Sequence, residues 1–261
     1  MTVPDNLLDG VSLPGLLRTW RAEAGEKMGL KKPLPQKQVA ERMEVSERWY
    51  RNLEGGQTVP LPGPVLKRLA TALALGPDDR MALFAQTLSR PFTLAASIDT
   101  TDVRDRGALD AVVEMASTPG PHPVYVVDSA WNLVSFNPKM AEWFPEICQP
   151  HTNLLRWVFS ADGRAKLVDW QDNAERFLGQ LRFSLANHPD NLELRELLRF
   201  LLAHPEVSAL WERSPRLIAY REGELFRFHL PSISPDELSA VARVFLPPYL
   251  PGIRYVTLMP H

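Results

Sequence analysis

Apolar residues recur at helical spacing through the first third of the chain. Leu13, Leu16, Leu17 and Trp20 share one face, Val39, Ala40 and Met43 a second, and Leu66, Leu69, Ala70 and Leu73 a third. Gly76-Pro77-Asp78-Asp79 opens a last helix to about 88, with proline at an entry position and acids in its first turn. From 89 to 104 the periodicity fades and Ser, Thr and Asp take over, as in a linker. Beyond it, Pro123 to Phe136, rich in Val, Tyr, Trp and Phe, reads as two strands around a turn at Asp128-Ser129-Ala130. Asn137-Pro138 then caps and opens a helix through Trp143. Residues 152–213 return to the helical period, with Phe177, Leu181 and Leu185 on one stripe and Leu194, Leu197, Leu198, Leu201 and Leu202 on another. Strands are expected again at Leu217–Arg221, Leu225–Leu230, Ala240–Leu246 and Gly252–Leu258, with a turn at Glu222-Gly223-Glu224. The pattern predicts a five-helix domain over 11–88, a linker over 89–104 and, over 105–261, an antiparallel sheet with a helical insertion.

Composition supports two folded domains. The chain has 261 residues, 45% of them apolar and 23% charged, against roughly 150 residues for one domain. Cys148 is the single cysteine, which excludes an intrachain disulfide and a multi-cysteine metal cage and fits a reducing, cytoplasmic setting. Asp5 and Asp9 stand where a secretion signal is basic, and no apolar run approaches the roughly 20 residues that span a bilayer, so neither export nor a membrane partner is expected. A net charge of −2 argues against nucleic acid only if the charge is evenly spread. Residues 1–90 hold 13 basic and 10 acidic side chains, a net of +3, and the remainder is −5.

The positive half contains Leu34 to Gln57, LPQKQVAERMEVSERWYRNLEGGQ. Two short helices packed at a steep angle need small apolar contacts, a tight turn and a cap. Val39, Ala40 and Met43 supply the first helix's inner face, Val45 plugs the turn, Ser46 caps the second helix, and Tyr50 and Leu53 point inward. This leaves Glu47, Arg48, Trp49, Arg51 and Asn52 outside. The segment resembles the phage-repressor-like, xenobiotic-response-element class of helix-turn-helix domains, matching its pattern at Leu34, Gln36, Val39, Ala40, Val45, Ser46, Tyr50, Leu53, Glu54 and Gly56.

The resemblance implies operator binding, and because one short recognition helix gives too few base contacts while half-sites one helical turn apart suit two-fold proteins, a homodimer is expected. Gln36 would meet the DNA backbone and brace the recognition helix, with Gln38 beside it in the DNA-binding set, and Glu47, Arg48, Arg51 and Asn52 would face the major groove. The chain departs from the class after Ala24-Gly25, where Glu26 to Pro33 is inserted. Lys27, Lys31 and Lys32 there either neutralise phosphates from an extended loop close to the DNA or form a solvated basic loop. Trp49 either stacks on sugar-phosphate or packs on that loop.

In the second half, YVVDSAWNLVSFNPKMAEWF resembles the opening of a PAS domain, and HTNLLRWVFSADGRAKLVDW with the leucine-rich helices after it resembles the ligand-binding domain of MmyB-like transcription regulators. The resemblance implies a sensor for a small, largely apolar molecule such as a fatty acid. Trp131, Phe136, Trp143, Trp157, Phe159, Trp170 and Phe177 are the candidate lining, with packed core as their alternative role. Arg156 is the candidate carboxylate anchor, with a surface salt bridge as its alternative. Cys148 and His151 form a lone C-x-x-H with no second pair, and no phosphate loop, nucleophile elbow or metalloprotease motif appears, so neither a metal, another cofactor nor catalysis is expected. The reading is a ligand-responsive transcription regulator. Its rivals are a constitutive repressor whose second domain only dimerises, and an antitoxin-like protein-interaction module.

Overall fold

A computed structural model of the chain describes residues 9–87, 103–247, 250 and 252–261. They form two units. The first gathers the described residues up to 87 with Gly179–Arg195 and Glu212–Ala219, and the second gathers the rest.

Five helices build the N-terminal part of the first unit: α1 (Leu13–Lys27), α2 (Gln36–Met43), α3 (Glu47–Glu54), α4 (Gly63–Ala72) and α5 (Pro77–Thr87). Each boundary has a local cause. Ser12 Oγ accepts the Gly15 N–H at the start of α1, and Ser46 Oγ accepts the Trp49 N–H at the start of α3. Glu44 ends α2 in the left-handed conformation, which turns the chain sharply into α3. Trp20, Leu34, Val39, Met43, Tyr50, Leu66 and Leu83 are almost wholly buried and form the core. The inserted stretch is a strap on α1 rather than a free loop: Leu34 N–H donates to the Arg21 carbonyl, and the Leu30 N–H to that of Gly25, each at 2.9 Å. A Cβ at Gly25 would lie 2.4 Å from the Lys32 carbonyl oxygen, so only glycine allows the strap this close.

The second unit is organised by a five-stranded antiparallel sheet. Its strands are β1 (Val124–Val127), β2 (Leu133–Phe136), β3 (Leu225–Phe228), β4 (Leu238–Phe245) and β5 (Arg254–Pro260), in the order β2-β1-β5-β4-β3. Between β2 and β3 the chain runs through α7 (Pro138–Trp143), α8 (Leu154–Val158), α9 (Ala161–Lys166), α10 (Trp170–Asn187), α11 (Leu192–Leu202) and α12 (Pro205–Arg213). Strand alternation divides the sheet into two faces. Val124 and Val126 on β1 and Tyr255 on β5 pack with Ala108, Leu109, Val112 and Ala116 of α6 (Val103–Ser117). Tyr125, Leu258, Phe226 and Phe228 point the other way, toward the inserted helices.

Two expectations need adjustment. The stretch expected as a linker, 89–104, lies outside the described residues except for its last two, with which α6 begins. No strand forms at Leu217–Arg221. Leu217, Ala219 and Arg221 are buried in alternation, as the pattern implied, but the backbone finds a helix instead of a strand edge, with the Ile218 N–H on the Gly179 carbonyl.

Candidate functional site

Helix α3 is set by its buried side. Tyr50 and Leu53 pack inward with Val39, Ala40 and Met43 of α2, and Arg68 of α4 ties down the end of α2 through the Met43 carbonyl at 2.9 Å. The opposite side is open: Arg48 and Arg51 are exposed, and Glu47, Trp49 and Asn52 are half-buried. Arg51 pairs with Glu47 at 2.8 Å, one helical turn away, so both are held along the outer face.

A buried carboxylate fixes the angle of this helix. Glu54 accepts hydrogen bonds from Arg21 Nε and Nη2 at 2.9 and 2.8 Å, and from Gln36 Nε2 at 2.9 Å. One side chain therefore joins α1, the start of α2 and the end of α3. Burial alone would raise the Glu54 pKa, but the hydrogen bonds from Arg21 and Gln36 and the charge of Arg21 outweigh it and hold the carboxyl below its ordinary range. Gln36 is thus engaged as a brace. Gln38, Lys31 and Lys32 are exposed.

In the second unit a cavity lies between the sheet and the inserted helices. Tyr125, Phe226, Phe228 and Leu258 form its sheet side; Met140, Phe144, Leu154, Trp157, Val158, Leu167 and Phe177 complete it. Its rings form a continuous series: Phe226 stacks on Phe228 at 5.9 Å, Phe228 meets Phe144 edge-on at 5.2 Å, and Phe144 meets Trp157 at 5.4 Å. The free space is about 30 Å³, on the order of two waters, so a longer ligand must part the rings. Burial pushes the Tyr125 phenol up to about 12, against the charges of Arg221 and Arg254, and keeps it a neutral donor.

Two families match the chain. The MmyB-like transcription regulator ligand binding domain covers residues 106–260, and a helix-turn-helix domain covers 13–83. The chain belongs to the MmyB-like transcription regulators. No curated protein matches it. As a member of that family it is a DNA-binding transcription regulator with a ligand-binding domain.

Within this MmyB-like regulator the sequence-expected ligand residues fall into distinct places. Trp157 and Phe177 line the cavity. Trp131 stands edge-on to Phe177 at 6.1 Å, and Trp143 edge-on to Phe228 at 6.3 Å, one layer further out. Phe159 and Trp170 pair with each other at 5.9 Å, with the Arg164 guanidinium over Trp170. Phe136 sits on β2 opposite Tyr125. Arg156 is exposed, its guanidinium 3.9 Å above the Phe200 ring.

Sequence reasoning missed the sheet side of the cavity, Tyr125, Phe226, Phe228 and Leu258, and missed Arg21 as the partner of Glu54. The alternation of Phe226 and Phe228 was a usable signal for the former. Among the described residues no cluster of His, Cys, Asp or Glu could hold a metal ion, and no helix is long and apolar enough to cross a membrane.

Proposed function

We propose that the chain binds its operator as a homodimer through α3, and that its C-terminal domain is a PAS-like sensor in which a small, largely apolar ligand of the fatty-acid type modulates that binding. The observation that carries the ligand reading is the ring-lined cavity between sheet and inserted helices. The antiparallel order β2-β1-β5-β4-β3, with helices inserted between β2 and β3, supports the PAS-like reading. One short recognition helix offers few base contacts, which favours a two-fold protein on paired half-sites. Lys31, Lys32 and Gln38, exposed on and before α2, are the candidate phosphate contacts, and Arg48, Arg51 and Asn52 the candidate base contacts. The ligand acts by binding two arrangements of the dimer unequally, since only a difference in affinity shifts an equilibrium. The setting is cytoplasmic, where a regulator meets both DNA and metabolites.

The test is organic extraction of protein purified from its native host, followed by mass spectrometry. A stoichiometric apolar molecule is expected. Protein without any, and unresponsive to added fatty acids in operator binding, would refute the sensor reading.

A further inference from the structure

Helix α10 begins in the second unit and ends in the first, since its residues from Gly179 onward are gathered with helices α1 to α5. Phe177, near its middle, lines the cavity. From Phe177 to Ala186 the helix is buried without a break, the polar Gln180, Arg182 and Ser184 included. A helix enclosed on every face has no wet side into which to bend. Close-packed interiors compress little, so a push at one residue is passed along the rod.

Within the first unit this rod is held by polar contacts. The Ile218 N–H donates to the Gly179 carbonyl at 3.2 Å, and Arg182 Nη2 to the Ser214 carbonyl at 3.3 Å. The last carbonyls of a helix have no partner inside it. That of Ala186 accepts from Gln86 Nε2 at 2.8 Å, and the same nitrogen donates to the Val11 carbonyl at 2.9 Å. Gln86 stands in the last turn of α5, and Val11 is buried directly ahead of Ser12, which caps α1. One side-chain amide therefore gathers the end of α10, the end of α5 and the entry of α1. Helix α1 in turn carries Arg21, which positions α3 through Glu54.

We propose that α10 transmits occupancy of the cavity to the DNA-binding helices, with Gln86 as the coupling residue. This rests on the reading of the cavity as the ligand site and names how that site acts on the operator. With only about 30 Å³ free, an entering ligand displaces lining rings, and Phe177 is the lining ring that α10 carries. A packed helix switches by shifts on the order of 1–2 Å. Passed to the Ala186 carbonyl, such a shift breaks or re-aims its bond to Gln86. Helices α1 and α5 then settle in a second position, and α3 follows through Arg21 and Glu54.

The experiment titrates full-length protein onto a selected operator by fluorescence anisotropy, with and without decanoate. It compares wild type with Gln86→Met, which keeps the length of the side chain and loses both hydrogen bonds, and follows decanoate binding separately by tryptophan fluorescence. Decanoate should shift the wild-type operator Kd by about fivefold or more. Gln86→Met should bind decanoate, and operator without decanoate, each within about threefold of wild type, while its shift falls below about twofold. The full shift in a Gln86→Met that binds both overturns the relay and leaves the cavity standing as the ligand site. Should the variant fail to fold, hydrogen exchange on wild type decides: decanoate should alter amide protection in the first turn of α1 and the last turn of α5, and a change confined to the second unit overturns the relay. Wild type that binds decanoate with no shift overturns the relay together with the regulatory reading. Wild type that binds no decanoate overturns the ligand site itself.

Discussion

Arg21 on α1 grips Glu54 at the end of α3 through two nitrogens, at 2.9 and 2.8 Å, while using a third to hold the Leu34 carbonyl at 2.9 Å. Helix α3 and the strap that precedes α2 are therefore positioned from the same guanidinium. Glu54 is 5% exposed, and removing it strands a largely buried cation. Glu54→Ala should cost roughly 3 kcal/mol in urea unfolding. The pH dependence has a defined sign. Because the folded carboxyl lies below its ordinary 4.5, its contribution is complete above that value and is lost as the pH falls through the folded one. The difference in Tm between wild type and Glu54→Gln should be large at pH 7 and shrink as the pH falls below 4.5; a difference that stays constant with pH would contradict the account.

Gly25 has no room for a side chain, since its Cβ would fall 2.4 Å from the Lys32 carbonyl and 2.9 Å from the Leu34 nitrogen. Both are backbone atoms, so the strap must lift. Gly25→Ala should cost about 2 kcal/mol of stability. Tryptic cleavage after Lys31 should also accelerate.

Arg48 and Arg51 are exposed, and the Arg51–Glu47 pair is open to solvent. Such pairs add little to folding. Arg48→Ala and Arg51→Ala should each leave the unfolding midpoint in place and weaken binding to a selected operator by roughly 1–3 kcal/mol. Wild-type affinity in both would place the recognition surface elsewhere.

Asn137 is 0% exposed and uses both ends of its amide: Oδ1 accepts from Val124 N–H at 3.0 Å and Met140 N–H at 2.9 Å, and Nδ2 donates to the His122 carbonyl at 2.8 Å. It caps α7 and clips that helix to β1. Asn137→Ala should cost about 3 kcal/mol. Asn137→Asp, which keeps the acceptor and loses the donor, should also destabilise, as a thermal melt will show.

The helix-turn-helix was legible because its determinants are near neighbours in sequence. Ser46 caps α3 three residues from its partner, and the inward Tyr50 and Leu53 share one turn of it. The Asn137-Pro138 cap was readable for the same reason. The cavity was not, because its wall joins Tyr125 to Phe226 and Leu258 across a sheet whose order no local pattern specifies. The alternation over Leu217–Arg221 reports burial on one side and is silent on whether a strand or a helix lies there. α6 escaped notice because its buried stripe is narrow, Ala108, Leu109, Val112 and Ala116, with Gly107 inside it and Met115 left exposed. Arg156 attracted attention by standing beside aromatic residues in sequence, whereas Arg221 meets Phe177 and Phe226 only in the folded chain.

The central claim is that occupancy of the C-terminal cavity changes operator affinity. The direct measurement is fluorescence anisotropy on an operator selected from random duplex DNA, titrated with full-length protein with and without saturating decanoate, at fixed salt. The account predicts a shift in Kd of fivefold or more, a coupling of about 1 kcal/mol or greater. Superimposable isotherms, at decanoate concentrations shown by fluorescence to fill the cavity, would contradict it.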